Sequence, residues 1–311
     1  EMVRSISKRA KKQGGSQVKK SISKKNRAAK RSSDEVKEGE ECPPSRSSKK
    51  STKVKEASKT QASDAELSAA AAARRLSRWA DDGERTKRWL ASRGALEEPL
   101  LEANGQILRF RDYLPLEMAD NVLAILQSLP EEAWQLSHHQ NDKGAASHRF
   151  WSADVMDIPE LSPLRSVFWK MLPKLRGEPT LPIFSCGRYG ASDFIGRHDD
   201  QALVPFFDDT TVYSRTVAAI WYLTKEWSEA EGGCLIDLGD QVKEKQLVPI
   251  YNSLVVFEVP HWHAVSAVTS DRWRYSIFGW WHQKGDRGDR RPVTKASAKL
   301  PKRKRRRPKS S

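Results

Sequence analysis

Arg197-His198-Asp199-Asp200 places an imidazole and a carboxylate two residues apart, at His198 and Asp200. On an extended strand, side chains two apart share a face. Both groups then reach one point, and the same rule selects Asp200 over its neighbour Asp199. Further along, Pro260-His261-Trp262-His263-Ala264-Val265 offers a third donor, His263 or His261. Two imidazoles and one carboxylate leave open positions on an octahedral ion. These ligand types suit Fe(II), and the open positions accept a chelating cosubstrate and O2. A His-x-Asp triplet alone occurs often by chance, so its weight depends on the elements around it.

Those elements read mostly as strands. The run from Arg274 to His282 alternates and is rich in β-branched and aromatic residues. It places Arg274 where a planar guanidinium can enter the interior and capture a carboxylate in two-pronged fashion. Arg272 has the same parity but stands close to a turn. Ile107-Leu108-Arg109-Phe110 is a short alternating strand, followed by a helix opening at Pro115-Leu116-Glu117 and stopped by Pro130. A second helix is predicted over 161–175, with Leu164, Val167, Phe168, Met171 and Leu172 inward. Between them, 133–157 reads as a strand pair around the loop Asn141-Asp142-Lys143-Gly144, with His138, His139 and His148 as surface or strand residues. Core strands are expected near 183–189, 211–223, 234–237, 253–259, 263–268 and 273–282. Many strands with turn signals and no alternating helices fit a sandwich or jelly roll.

The charge is uneven. Of 55 Lys+Arg and 40 Asp+Glu, residues 1–60 hold 19 and 7, and residues 284–311 hold 13 and 2. That leaves 23 basic and 31 acidic residues for 61–283, so an acidic body carries two basic ends. The Lys/Ser-rich stretch 1–62 has too few large apolar residues to offset its ordering entropy and reads as a disordered tail. Ser63-Asp64-Ala65-Glu66 fits a capping box opening an Ala-rich helix, and 63–105 reads as a helical linker region. Gly285-Asp286-Arg287-Gly288 leads into a second disordered tail over 284–311, which ends in the dense cationic run 302–309. Such a run suits an import receptor or nucleic acid. Cys42, Cys186 and Cys234 are too few and scattered for a disulfide framework or a zinc site. No apolar run approaches the roughly 18 residues of a membrane span, and the basic start lacks the apolar stretch of a secretory leader. The chain opens with Glu1-Met2, so its N-terminus is expected to be incomplete. A nuclear or nucleo-cytoplasmic location is expected, with no membrane partner.

Five stretches stand in the order of one family: Tyr189 with Phe194-Ile195-Gly196-Arg197-His198-Asp199-Asp200; Ile220-Trp221-Tyr222-Leu223-Thr224-Lys225-Glu226-Trp227; Gly232-Gly233-Cys234-Leu235; Ser253-Leu254-Val255-Val256-Phe257; and His263-Ala264-Val265 with Arg274-Tyr275-Ser276-Ile277. Over about 107–282 the chain resembles the 2-oxoglutarate/Fe(II)-dependent dioxygenases, in particular the prolyl 4-hydroxylase-like branch. The resemblance implies a mainly β double-stranded β-helix (jelly roll) over 106–283 with flanking helices. It implies Fe(II), 2-oxoglutarate and O2, with ascorbate as a possible aid, and hydroxylation of a C–H bond with release of succinate and CO2. The spacing of His263 to Val265 and Val268 matches the family pattern and favours His263 over His261, so the implied ligands are His198, Asp200 and His263. Arg274 would pair with the distal carboxylate of 2-oxoglutarate, Tyr222 would hydrogen-bond the same group, and Tyr189 lies near the mouth. Collagen-type relatives resemble this pattern with lysine in place of Arg274. Trp221, Trp227, Phe206 and Phe207 would line the entrance, and Phe206-Phe207-Asp208-Asp209 falls where related enzymes carry a substrate loop. The implied substrate is a prolyl residue of an intracellular protein. The alternatives are a nucleic acid, held through the basic tails, or a small molecule. The Arg-x5-Arg pattern of AlkB-like demethylases is missing, since Arg272 and Arg274 stand only two apart.

Overall fold

The computed structural model describes residues 68–140, 146–206, 211–239 and 244–285. The N-terminal tail 1–62, residues 286–311 of the C-terminal tail, the Ser63 capping box, the loop 141–145 and Phe207-Asp208-Asp209 lie outside the described residues, as does the side chain of Phe206, whereas Lys284, expected in the tail, ends a strand.

Among the described residues three helices come first: α1 (68–81), α2 (Gly83–Arg93) and α3 (Glu97–Glu102). In α1, Ala72, Leu76, Trp79 and Ala80 recur at helical spacing and are all buried. Asp82 separates α1 from α2 and caps the latter, its side chain accepting from the Arg85 N–H at 2.9 Å. Trp79 meets Trp89 edge-on at 5.4 Å, and the Trp89 indole donates to the Tyr113 carbonyl at 2.8 Å. This region, expected as a linker, is built into the main core, because its apolar stripe finds a partner surface there.

Strand β1 (Leu108–Phe110) leads to α4 (Leu116–Ser128), which buries Met118, Val122, Ile125 and Leu126. The hairpin β2 (Gln135–His139) and β3 (His148–Asp154) follows, and then α5 (Leu164–Met171). This second helix is shorter than the predicted 161–175. Leu172 leaves the helical region at φ −143°, as a residue before proline must when Pro173 blocks the α conformation. Residues 159–161 form a separate 3-10 turn, and the two-residue strands β4 (Lys174–Leu175) and β5 (Glu178–Pro179) pair as a small sheet of their own.

The remaining strands are β6 (Leu181–Tyr189), β7 (Phe194–His198), β8 (Leu203–Phe206), β9 (Thr211–Tyr222), β10 (Leu235–Asp237), β11 (Lys245–Leu247), β12 (Ser253–Glu258), β13 (His263–Val265) and β14 (Arg274–Lys284). With β1 and β3 they join in the antiparallel order β1-β12-β9-β14-β6-β3-β7-β13-β10-β11, with β8 paired to β9 and β2 to β3 off this path, the winding of a double-stranded β-helix. Two apolar clusters lie on opposite faces of the wound sheet. One, containing Trp221, Leu254, Ile277 and Trp281, packs against the helices. The other fills the barrel interior with Tyr189, Tyr222, Val255, Phe257 and Val265. Strand alternation sends Trp221 to the helix side and Tyr222 inward. Trp221 therefore does not line an entrance: its indole donates to Asn252 Oδ1 at 3.2 Å within the core. Trp227 is also buried, donating to the Gly232 carbonyl at 2.9 Å.

Candidate metal centre and cosubstrate pocket

His198 is the last residue of β7 and His263 the first of β13, and the two are paired across the ladder. The Nδ1 of His198 lies 2.8 Å from the Gly196 carbonyl oxygen, and that of His263 lies 2.7 Å from the His261 carbonyl oxygen. A carbonyl only accepts, so both rings carry hydrogen on Nδ1 and turn Nε2 inward as the available donor atom. Asp200 Oδ1 stands 3.3 Å from His198 Nε2, and Oδ2 stands 3.6 Å from His263 Nε2. One donor atom from each of the three residues lies within 4.8 Å of the others. Such a grouping can hold a metal ion.

Asp200 arrives there by a different route from the one expected. It is not on a strand: β7 ends at His198, and Asp200 has φ +63°. The left-handed turn, rather than strand parity, folds its carboxylate back beside His198. Asp199 points elsewhere. Its side chain accepts from the Gln201 N–H at 3.1 Å, and its carbonyl accepts from the His261 N–H at 3.2 Å. That last bond ties the two ligand-bearing stretches together. His261 itself is buried, its Nε2 2.7 Å from Asp237 Oδ1.

The charges reinforce one another. Burial pushes the Asp200 carboxyl up, but the His198 hydrogen bond and the nearby His263 and His198 charges prevail and hold it down at about 2. Burial also works against protonating His198, yet the Asp200 hydrogen bond and charge raise it above the ordinary histidine value. Burial pushes His263 down to about 4, only partly opposed by Asp200, so its ring is neutral at physiological pH.

Deeper in the barrel, Arg274 is 2% exposed. Its Nη1 donates to the Gly233 carbonyl at 2.6 Å, and its guanidinium lies 3.9 Å from the Tyr189 ring centroid and 5.4 Å from that of Tyr222. Gly233 must be glycine: at φ +63° its Cβ would also stand 2.9 Å from Val268 and 3.1 Å from Arg274. Arg274 Nε and Tyr222 Oη are buried without hydrogen-bond partners. Buried polar atoms left unpaired in this way are rare and costly. Two donors aimed into one interior fit an anionic oxygen of a bound ligand. Arg272 is elsewhere. It precedes β14 and staples the surface loop, with Nη2 donating to the Lys225 carbonyl at 2.8 Å and Nη1 3.2 Å from Glu231 Oε1.

Residues 184–282, which contain all of these groups, match the family model described as the 2OG-Fe(II) oxygenase superfamily. The segment is a 2OG-Fe(II) oxygenase domain. Over 114 residues the chain is 40% identical to "Prolyl 3-hydroxylase OGFOD1" of Xenopus laevis, a match covering 34% of this chain and 20% of that protein. The chain thus spans about a fifth of the length of this relative. Among solved structures it is similar to a Pseudomonas putida prolyl-4-hydroxylase, with 21% identity over 60% of this chain and 98% of the other, and TM-score 0.40. It is also similar to a Trichoplax adhaerens prolyl hydroxylase in complex with a hypoxia inducible factor peptide, with 17% identity over 65% and 94%, and TM-score 0.44.

Three features near the candidate site escaped sequence reasoning. Asp237, at the end of β10, supports His261. Arg215 stacks at 3.6 Å on the ring of Trp280 beside Asp200, with Nη1 3.5 Å from the Asp200 carbonyl. Arg109 on β1 lies beside Tyr222, outside the segment matched to the family. The only signal for Arg109 was its parity: an arginine between Leu108 and Phe110, on the opposite face from both.

Proposed function

We propose that this chain is an Fe(II)- and 2-oxoglutarate-dependent dioxygenase that hydroxylates a prolyl residue of an intracellular protein. The observation that carries the activity is the convergence of His198, Asp200 and His263 beside the buried, unpaired donors of Arg274 and Tyr222. The substrate class is supported by the stretch 40% identical to a protein named as a prolyl 3-hydroxylase.

His198, Asp200 and His263 would hold the iron, three donors that do not by themselves fill an octahedral ion. Bound iron with 2-oxoglutarate and O2 supplies the chemistry that inserts oxygen into a C–H bond, with succinate and CO2 as coproducts. The chain's own work is positioning. The Nδ1 hydrogen bonds lock both imidazoles, Asp200 stays ionised, and Arg274 with Tyr222 receives the distal carboxylate, Tyr189 covering the guanidinium face. The apolar residues Val255, Phe257 and Val265 exclude water around this polar core.

The decisive experiment incubates the full chain with Fe(II), 2-oxoglutarate and proteome-derived peptides, following succinate release and mass spectra of the peptides. Hydroxyproline that vanishes in His198→Ala and Asp200→Ala is the expected result. Oxidised nucleobases in place of hydroxyproline would transfer the activity to nucleic acid, and absence of succinate under every condition would remove the dioxygenase reading.

We further propose that the basic run 302–309 directs the enzyme to the nucleus through an import receptor, as its charge density suits. Removal of 1–60 and 292–311 should then abolish nuclear accumulation while succinate production on a short peptide is retained.

A further inference from the structure

The distal end of the cosubstrate pocket holds more positive charge than one arginine supplies. Arg109 pairs with Val255 across the β1–β12 ladder, and Val255 belongs to the barrel interior. Directly opposed residues of an antiparallel pair project from the same face. Its neighbours Leu108 and Phe110 pack on the helix side, so Arg109 is the residue of β1 that turns inward. Its charge acts on Tyr222 and Cys234, and Tyr222 is acted on by the charges of both Arg274 and Arg109. Nε and Nη2 of Arg109 are buried without a hydrogen-bond partner. Among the described residues it forms no ion pair.

An arginine placed merely to pack a barrel would have its N–H groups satisfied by carbonyls, as Arg272 and one nitrogen of Arg274 do here. Around Tyr222 the unpaired buried atoms include two nitrogens of Arg109, Nε of Arg274, the phenol oxygen of Tyr222 itself and Oγ of its ladder partner Ser276. The three nitrogens belong to permanently charged groups, and the two hydroxyls can donate as well. A neutral ligand would leave both charges uncompensated, whereas a carboxylate satisfies several of these donors at once.

We propose that Arg109 is a second cation of the cosubstrate pocket, holding the distal carboxylate together with Arg274 across Tyr222 and selecting a dicarboxylic 2-oxo acid. The inference rests on the dioxygenase reading above and adds to it a specificity-determining residue on β1, far in sequence from the metal ligands. Arg109 acts on the end of the ligand remote from the metal. Its loss should therefore discriminate between ligands by that end alone.

The test is calorimetric binding to the full chain loaded with Mn(II), which needs no turnover. Two ligands are compared: 2-oxoglutarate, and 2-oxopentanoate, which has the same chelating head and carries no distal carboxylate. Arg109→Gln should weaken 2-oxoglutarate by about tenfold or more, the scale of one lost charge-assisted contact, and leave 2-oxopentanoate unchanged. Unchanged 2-oxopentanoate binding also certifies that the variant is folded. Arg109→Lys, which keeps the charge without the fork, should fall between wild type and Arg109→Gln. Wild-type affinity of Arg109→Gln for 2-oxoglutarate would overturn the inference, as would equal weakening of both ligands, which would reduce Arg109 to wall packing. Wild-type protein that binds Mn(II) but neither 2-oxo acid would overturn the dioxygenase reading itself and the inference with it.

Discussion

His261 Nε2 and Asp237 Oδ1 lie 2.7 Å apart beside the candidate metal-binding group His198, Asp200 and His263. The same His261 offers its carbonyl to His263, and Asp237 is itself the cross-strand neighbour of His263 on β10. Asp237 therefore braces His263, a proposed metal ligand, through the ladder and again through His261. Asp237→Asn keeps the shape and removes the charge. Metal affinity should fall, but by less than the roughly 10–100-fold of losing a direct partner of a liganding histidine, because Asp237 reaches His263 only through His261 and the ladder. Titration of the apo protein with Mn(II) measures it, and wild-type affinity would confine the pair to loop packing.

Arg274→Ala should raise the 2-oxoglutarate requirement steeply. Truncating one member of a buried charge pair costs roughly 2–5 kcal/mol. Arg272→Ala, which removes only loop contacts on a half-exposed side chain, should change the 2-oxoglutarate KM less than about threefold. Steady-state kinetics on the two variants checks the order, and its reversal would move the anion-binding role to Arg272.

The protonation pattern predicts how metal binding responds to pH. His263, held at about 4, and Asp200, held at about 2, are already in their metal-binding forms near neutrality. His198 is raised above its ordinary value, so in the apo protein it keeps its proton to higher pH. A metal ion must displace that proton. Affinity should thus rise with pH up to the His198 pKa and level off above it. Below that point the logarithm of the affinity should climb with a slope of one proton per metal. A slope of two would show that His263 is protonated as well.

Trp79 reports on whether the N-terminal helices belong to the cooperative unit. It is 2% exposed and packs on Trp89, which is hydrogen-bonded to Tyr113. Trp79→Ala should destabilise the oxygenase domain by about 3–5 kcal/mol, as large-to-small core changes do. Leu101→Ala, at a side chain 41% exposed, should cost no more than about 0.5 kcal/mol. Denaturant unfolding followed at the barrel would reveal a detachable helical region if Trp79→Ala left its midpoint in place.

Much of the architecture was readable from local pattern. The alternation expected over 211–223 and 273–282 marks β9 and β14, because a half-buried strand must sort its side chains between two faces. Pro130 and the stripe from Met118 to Leu126 define α4 for the same local reason. The donor types at His198, Asp200, His263 and Arg274 also stand in the chain itself, since chemistry restricts which side chains bind a metal or a carboxylate. Other features depend on partners that local pattern does not specify. Asp200 reaches the site through a positive φ, a conformation sustained by its surroundings rather than by its residue type. The Ala72–Trp79 stripe reads equally as a linker or a core helix until a facing surface exists. Trp221 and Tyr222 are adjacent and both aromatic, and only the closed barrel makes one of them wall and the other interior. Arg109 acquires its meaning from pairing with Val255, a residue distant in sequence and unconnected by any short-range pattern. These outcomes were decided by tertiary structure, because the free energy that settles them comes from contacts between remote segments and from burial that exists only once the sheet has closed.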